Sequence, residues 1–275
     1  MRWTPGGDRS NLEDRRSSGG LGKGLGLGGT VVVLALSLIF GRNLFTDLGV
    51  EPGVGATSAP MSAQDSDAEE QVVDRTVFVL NDVQKTWAQI LPQYGGTFHP
   101  AKLALFRNST DSGCGPAQSA MGPFYCPVDE HVYLDLGFFQ ELQQRFGASG
   151  DFAQAYVLAH ELGHHVQHLM GTDARVRQAE EANPSEANAL SVRLELQADC
   201  YAGVWAHSTA QRQILESGDV DEALGAASAV GDDRIQARTT GRVNVDSFTH
   251  GSAAQRSASF KRGLESGDPR NCNTL

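Results

Sequence analysis

The sequence is poor in basic residues: 22 lysines and arginines stand against 33 aspartates and glutamates, and the net charge is −11. Nucleic-acid binding needs a basic surface that neutralises phosphates, so this deficit argues against a nucleic-acid partner. No internal repeat is visible along the chain. With 40% hydrophobic and 20% charged residues, the 275-residue chain has the composition of a globular protein.

Long apolar runs are scarce, and the clearest is an uncharged stretch at residues 24–41. It has the minimum length for crossing a bilayer, and Arg42 can snorkel to the surface, which extends the usable span to residue 45. Five basic residues precede it, which places the N-terminus in the cytoplasm. The sequence thus predicts a cytoplasmic basic, glycine-rich tail (1–23), a single-pass transmembrane signal anchor (24–45) and an extracytoplasmic remainder. A cleaved signal peptide and a buried core helix are the alternatives.

The rest of the chain divides into a linker and one domain. Residues 46–71 are small, acidic and interrupted by proline and glycine, as in flexible linkers. Residues 72–275 are enough for one well-buried core. Apolar periodicity predicts helices and two strands in this domain, at 72–91, 136–146, 151–170, 185–213, 220–238 and 251–263 for the helices and 101–107 and 131–135 for the strands. The predicted fold class is α+β, rich in helix with a small sheet.

One motif carries metal chemistry: His160, Glu161 and His164 form H-E-x-x-H within an uninterrupted helical pattern. The two histidines lie one turn apart on one helix face, so both imidazoles can bind a single Zn²⁺ ion. Glu161 is rotated by about 100° from His160, which suits a general base beside the metal and not a third ligand. A surface helix with incidental histidines is the alternative interpretation.

A catalytic zinc site needs a third protein ligand. Met170 stands where a metzincin would have its third histidine, and His168 lies about 12 Å from His160 along the helix axis, too far to share the ion. A glutamate on the later helix 185–213 is the remaining solution. Glu195 is favoured because Asp199 follows one turn later and can accept the outer N–H of a ligating histidine. Glu180, Glu181 and Glu186 are alternatives in a polar, proline-broken connection.

Several segments resemble the bacterial family of putative neutral zinc metallopeptidases, from about residue 72 to the C-terminus. The resemblance rests on four segments, which read GPFYCPVDEHVYLDLGFF (122–139), HELGHHVQH (160–168), RLELQADCYAGVWA (193–206) and FTHGSAAQR (248–256). The anchor and linker also resemble that family in layout. The resemblance implies a zincin-like fold and a membrane-anchored, gluzincin-like peptidase that holds one Zn²⁺ and cleaves peptide or protein substrates. It implies no particular substrate.

Further site residues are open to more than one interpretation. His250 is the first candidate for stabilising the oxyanion of the reaction, with Tyr201 and His207 as alternatives and helix capping as a non-catalytic role. Arg256 could neutralise a substrate carboxylate or pair with an aspartate. The strand 131–135 could be an edge strand that pairs with an extended substrate, or an ordinary core strand.

The four cysteines permit three pairings. Since an extracytoplasmic domain favours disulfides, we expect Cys114–Cys126 to close a loop and Cys200–Cys272 to tie down the C-terminal tail. Buried free thiols are the alternative.

The sequence as a whole predicts a zinc-dependent peptidase. Zinc would be held by His160, His164 and Glu195, and Glu161 would activate water. The competing hypotheses are a non-catalytic zinc domain that binds a peptide or partner at the membrane, and a hydrolase of a non-peptide amide. A structural zinc would need a closed four-ligand shell, in which Glu161 would have no purpose, so we favour the enzyme. The oligomeric state is not indicated.

Overall fold

The computed structural model describes residues 1–17 and 63–275. In these residues the chain is rich in helix and carries two small sheets, which confirms the predicted α+β class. The helices are α1 (Ala63–Ile90), α2 (Gly137–Phe146), α3 (Asp151–Leu169), α4 (Thr172–Ala182), α5 (Ala187–Gln211), α6 (Asp219–Ala229), α7 (Asp232–Thr239) and α8 (Ala253–Ser266). The strands are β1 (Leu12–Asp14), β2 (Lys102–Phe106), β3 (Ser109–Ser112), β4 (Gly115–Gln118), β5 (Phe124–Cys126) and β6 (His131–Asp135).

The larger sheet has the strand order β1-β2-β6-β5. The first three strands are parallel, and β5 runs antiparallel to β6 at one edge. Side chains alternate between the faces: Leu103 and Leu105 of β2 pack into the main core beneath the helices, whereas Ala104 and Phe106 join a smaller cluster on the other face. β3 and β4 form a separate antiparallel hairpin.

The metal-motif helix α3 runs through the middle of the helical layer. Most of its residues are buried, and the ring of Phe152 near its start stacks on Trp205 of α5 with centroids 5.5 Å apart. At Gly163 a Cβ would lie 3.1 Å from the backbone oxygen of Ala198, so the glycine lets α3 and α5 approach closely. The helices that carry the motif and the later glutamate therefore lie against one another.

Glycine also sets the crossing of α5 and α8. A Cβ at Gly203 would lie 2.1 Å from the backbone oxygen of Phe260, and one at Gly263 would lie 1.9 Å from the backbone oxygen of Cys200. The two backbones are thus nearly in contact, as happens where small residues face each other across helices. This close crossing brings Arg256 of α8 beside α5.

The segment predicted as one helix over residues 220–238 is two helices in the structure. Gly231 separates α6 from α7, and a Cβ there would lie 2.3 Å from the backbone nitrogen of Ala253. Helix periodicity does not reveal such a break, because it arises from contact with α8. At the other end of the domain, α1 begins at Ala63, inside the segment predicted as linker.

The predicted membrane localisation is wrong. Within residues 1–17 and 63–275, no helix has the length and apolar character needed to cross a bilayer. Moreover β1 pairs with β2, and the Met1 amino group lies 2.9 Å from Asp151 and 3.1 Å from Asp219. A cytoplasmic tail could not make these contacts with a domain across the bilayer. The predicted anchor itself, residues 24–45, lies outside the described residues, as does most of the linker.

We expect Gly203→Ala to destabilise the protein by about 2 kcal/mol or more, because the new Cβ would overlap the α8 backbone. Gly225→Ala is a matched control: it also changes a helical glycine, but its Cβ would meet nothing within 4 Å. That variant should gain up to about 1 kcal/mol from helix propensity. Urea unfolding midpoints measure both, and equal midpoints for the two variants would contradict the proposed close packing.

Candidate metal centre

Three side chains converge where α3 and α5 meet. Ligand atoms of His160, His164 and Glu195 all lie within 4.8 Å of one another. The two imidazoles present Nε2 to the two carboxylate oxygens of Glu195, at 3.2 Å from His160 and 3.3 Å from His164. The side chains are 7%, 17% and 16% exposed, in that order. The structure thus brings together the three residues that the sequence predicts as metal ligands.

Asp199 lies behind His160, one turn along α5 from Glu195. Its Oδ1 is 2.9 Å from Nδ1 of His160, and it also accepts a hydrogen bond from the hydroxyl of Tyr156 at 2.5 Å. Burial raises the pKa of Tyr156 well above its ordinary value, so this hydroxyl stays a donor. This contact holds His160 with Nε2 facing Glu195, the arrangement in which Asp199 would accept the outer N–H of a metal-bound ring.

Gln167 orients the second histidine. Its Oε1 lies 2.8 Å from Nδ1 of His164, and its Nε2 donates to the backbone oxygen of Leu194 and to Gln197. The side chain is fully buried. The motif assigns no role to Gln167, although its spacing of three residues from His164 is a signal that places both on one helix face.

Arg256 also holds Asp199 in place. Its Nε and Nη2 donate to the two oxygens of Asp199 at 2.9 and 3.0 Å, and its side chain is 5% exposed. Of the two roles considered from the sequence, pairing with an aspartate is therefore the one that the structure contains. Burial opposes the charge of Arg256, yet Asp199 and Tyr156 raise the pKa of the guanidinium well above its ordinary value.

Carboxylates set the charge preference of the imidazoles in the site. Burial lowers the pKa of His160, but Asp199 and Glu195 outweigh it and raise the pKa to about 10. Burial likewise opposes the charge of Glu195, yet the two histidines hold its pKa well below the usual range. Two imidazole nitrogens and one carboxylate, all largely shielded from solvent, are donors that suit a Zn²⁺ ion held by three side chains. The residues present therefore fit one Zn²⁺ ion.

The site opens into a cleft of about 650 Å³. Glu161 is buried and lines this cleft with the three candidate ligands, although none of its oxygens belongs to the ligand cluster. This placement follows from its rotation on the helix relative to His160 and His164. A carboxylate that faces the cleft but does not join the ligands can exchange a proton with a bound molecule.

The structure separates the candidates for oxyanion stabilisation. His250 lines the cleft, is 51% exposed, and has Nδ1 3.2 Å from Asp232. Tyr201 packs in the core against Trp87, and His207 bonds to the backbone oxygen of Leu264, so neither lies at the cleft. Of the three candidates, only His250 has a position from which it can reach a substrate.

His168 takes no part in the ligand cluster. Its Nδ1 lies 2.9 Å from Asp173, at the end of α3. The glutamates Glu180, Glu181 and Glu186, weighed as alternative ligands, are also absent from that cluster. The structure thus separates each alternative ligand from the site.

The edge strand beside the cleft is β5 and not the strand 131–135. β6 lies between β2 and β5 and is a core strand, whereas Phe124 and Tyr125 of β5 line the cleft. Among the two strand interpretations from the sequence, the ordinary core strand is therefore correct for β6. The following residue, Cys126, forms a disulfide with Cys114 that holds the end of β5.

The second disulfide joins Cys200 of α5 to Cys272 in the C-terminal tail. Both pairs are those expected from the sequence, and no free cysteine occurs in the described part of the chain. The predicted extracytoplasmic location was one reason to expect these disulfides. Because that predicted location is wrong, it does not support them. Cys200 follows Asp199, so this disulfide anchors the part of α5 that carries the site.

A family model described as "Putative neutral zinc metallopeptidase" matches residues 1–275 of the chain. Among similar proteins is one from Escherichia coli (strain K12), "Uncharacterized protein YpfJ", 46% identical over 283 residues that cover 100% of this chain and 99% of the relative. Another is "Uncharacterized protein Rv2575" from Mycobacterium tuberculosis (strain H37Rv), 44% identical over 253 residues that cover 83% of this chain and 84% of the relative. No solved structure matches.

Proposed function

Because the chain belongs to the neutral zinc metallopeptidase family, we propose that it hydrolyses peptide bonds with one zinc ion. This proposal rests on the arrangement of four side chains where α3 and α5 meet. His160, His164 and Glu195 converge on one point, while Glu161 faces the same cleft from outside the ligand set.

His160 and His164 would bind the ion through Nε2, and Glu195 through its carboxylate. Asp199 and Gln167 keep the two rings in place by accepting hydrogen bonds from Nδ1, which leaves each Nε2 free as a ligand. Zinc held there supplies a Lewis acid that polarises the substrate carbonyl and increases the acidity of water.

Glu161 is the general base of the proposed reaction. Its carboxylate accepts a proton from the attacking water and passes it to the amide nitrogen as the C–N bond breaks. The acyl carbon gains a hydroxyl group and the amine gains a hydrogen, so one water is consumed. Both carboxylate oxygens of Glu161 are available for this transfer, because Glu161 lies outside the ligand cluster.

His250 is the proposed donor to the oxyanion. Because Nδ1 faces the Asp232 carboxylate and donates to it, Nε2 would donate to the oxyanion from the doubly protonated form of His250, in which both ring nitrogens carry a proton. An extended substrate would lie beside β5, whose outer edge borders the cleft and can pair with a peptide backbone. Both assignments follow from positions at the cleft.

A non-catalytic zinc site fits less well. A structural zinc ion takes four protein ligands, whereas the ligand cluster of the described residues contains three side chains here.

The purified full-length protein tests the proposal through its metal content and activity. We expect one zinc per chain by elemental analysis and cleavage of members of a diverse peptide library. A chelator should remove both zinc and cleavage, and added zinc should restore both. A protein that holds zinc and binds peptides but cleaves none would overturn the proposal in favour of a binding domain.

A further inference from the structure

The cleft continues along α3 on both sides of the metal site. Residues of α3 from Tyr156 to Gln167 line it, a length of roughly 16 Å at 1.5 Å per residue. An extended chain rises about 3.3 Å per residue, so about five substrate residues fit in that length. His160 and His164 lie between these two ends, and a bound chain would therefore continue past the site in both directions.

Apolar side chains make up much of the lining of the cleft. Val157, one turn before His160 on α3, is one of them. Phe138 of α2 also lines it and is half-buried, and a Cβ at Gly122 would lie 3.6 Å from its ring. Further apolar lining comes from Met121, Pro123, Phe124, Val230 and Ile235. These side chains form what we call the apolar pocket, and a bulky hydrophobic group would bury its surface in it.

The arginines that line the cleft are already engaged. Arg256 is buried against Asp199, and Arg177 at the other end of the cleft pairs with Asp173 at 3.1 Å. An enzyme that trims residues from a C-terminus needs a cation for the terminal carboxylate. Both arginines thus already have an acidic partner, which weakens their attraction for a further carboxylate.

We propose that this site cleaves within an extended polypeptide, beside a bulky apolar residue whose side chain fills the apolar pocket. This inference rests on the proposed peptidase function and adds the substrate class to it. The substrate is a segment without fixed secondary structure, because about five consecutive residues must be extended in the cleft. Specificity comes from the buried apolar side chain and not from a chain end.

A set of quenched fluorescent decapeptides tests the substrate class. Each has an acetylated N-terminus and an amidated C-terminus, and they differ only in a central phenylalanine, leucine, alanine or aspartate. We expect kcat/KM to be at least tenfold higher for phenylalanine and leucine than for alanine, and lowest for aspartate. Mass spectrometry should place the cut next to the central residue.

Phe138→Ala tests the pocket itself, with Phe78→Ala as the matched control. Both phenylalanines are half-buried and pack against the main core, but Phe78 lies on α1 and does not line the cleft. We expect Phe138→Ala to reduce the preference for phenylalanine over alanine about tenfold, and Phe78→Ala to leave it unchanged. If Phe138→Ala unfolds, Phe138→Leu replaces it in this test, because leucine removes less of the side chain. The preference for phenylalanine over alanine should then fall by a smaller factor.

The possible outcomes separate this inference from the function on which it rests. If the zinc-loaded parent cleaves neither these blocked peptides nor the same four sequences with free ends, the peptidase function is wrong. If it cleaves the alanine peptide as fast as the phenylalanine peptide, or cuts only peptides with a free end, the peptidase stands and the substrate class is wrong. An unchanged preference in Phe138→Ala would overturn the assignment of the pocket.

Discussion

Replacing Glu161 with glutamine should reduce kcat for peptide cleavage by about 10³-fold and leave zinc binding intact. Glutamine has nearly the same size and shape, but its neutral amide cannot accept the proton of the attacking water. The change leaves in place the three proposed ligand side chains and their partners Asp199 and Gln167. Steady-state kinetics on one good peptide, with zinc measured in the same sample, gives both quantities.

Glu181→Gln is the control for that variant, because it makes the same chemical change at an exposed glutamate of α4 away from the ligand cluster. It should retain the parent rate. Equal rates in Glu161→Gln and the parent would show that another group accepts the proton, and the role of Glu161 as general base would then be wrong. Loss of zinc from Glu161→Gln would instead indicate that this carboxylate supports the metal.

Local spacing explains how much of the site is predictable from the sequence. His160, Glu161 and His164 lie on one helix, where a repeat of 3.6 residues per turn fixes which side chains share a face. The pairing of Glu195 with Asp199 follows the same rule on α5, and the structure places both where that rule expects them. Which side chains share a face of one helix can therefore be predicted from the sequence.

Relations between helices are much harder to predict. Arg256 reaches Asp199 only because Gly203 and Gly263 let α5 and α8 cross almost in backbone contact. Periodicity along either helix contains no information about that crossing. The break at Gly231 has the same origin, since it is set by the approach of α8.

The N-terminal segment shows the limit of hydropathy reasoning. Its arginines and the apolar run that follows match the pattern of a signal anchor, and that pattern led to the wrong localisation. The structure instead pairs β1 with β2 and places the Met1 amino group between acidic side chains at the starts of α3 and α6. A strand of three residues gives no detectable periodicity, so only its tertiary partner reveals it.

Replacing Glu195, the proposed third ligand, should have a comparably large effect. The affected quantity is the affinity for zinc and not the proton transfer. Glu195→Ala takes away the carboxylate that both imidazoles face, and we expect zinc affinity to fall more than about a hundredfold. Structural zinc sites with four ligands bind with roughly 10–16 kcal/mol, so one ligand is worth roughly 3 kcal/mol. Competition with a chromogenic chelator measures the affinity, and circular dichroism checks that the variant is folded.

Two further variants provide smaller changes in zinc affinity with which the loss in Glu195→Ala can be compared. Glu186→Ala removes a glutamate that lies outside the ligand cluster and should leave zinc affinity unchanged. Gln167→Ala leaves all three ligands but removes the acceptor behind His164, and a loss of about 10- to 100-fold is expected. The loss of zinc affinity should therefore decrease in the order Glu195→Ala, Gln167→Ala, Glu186→Ala. Glu195 is a proposed ligand, Gln167 is the partner of a proposed ligand, and Glu186 is neither. A zinc affinity in Glu195→Ala equal to that of the parent would show that another side chain completes the site, and the assignment of Glu195 would be wrong.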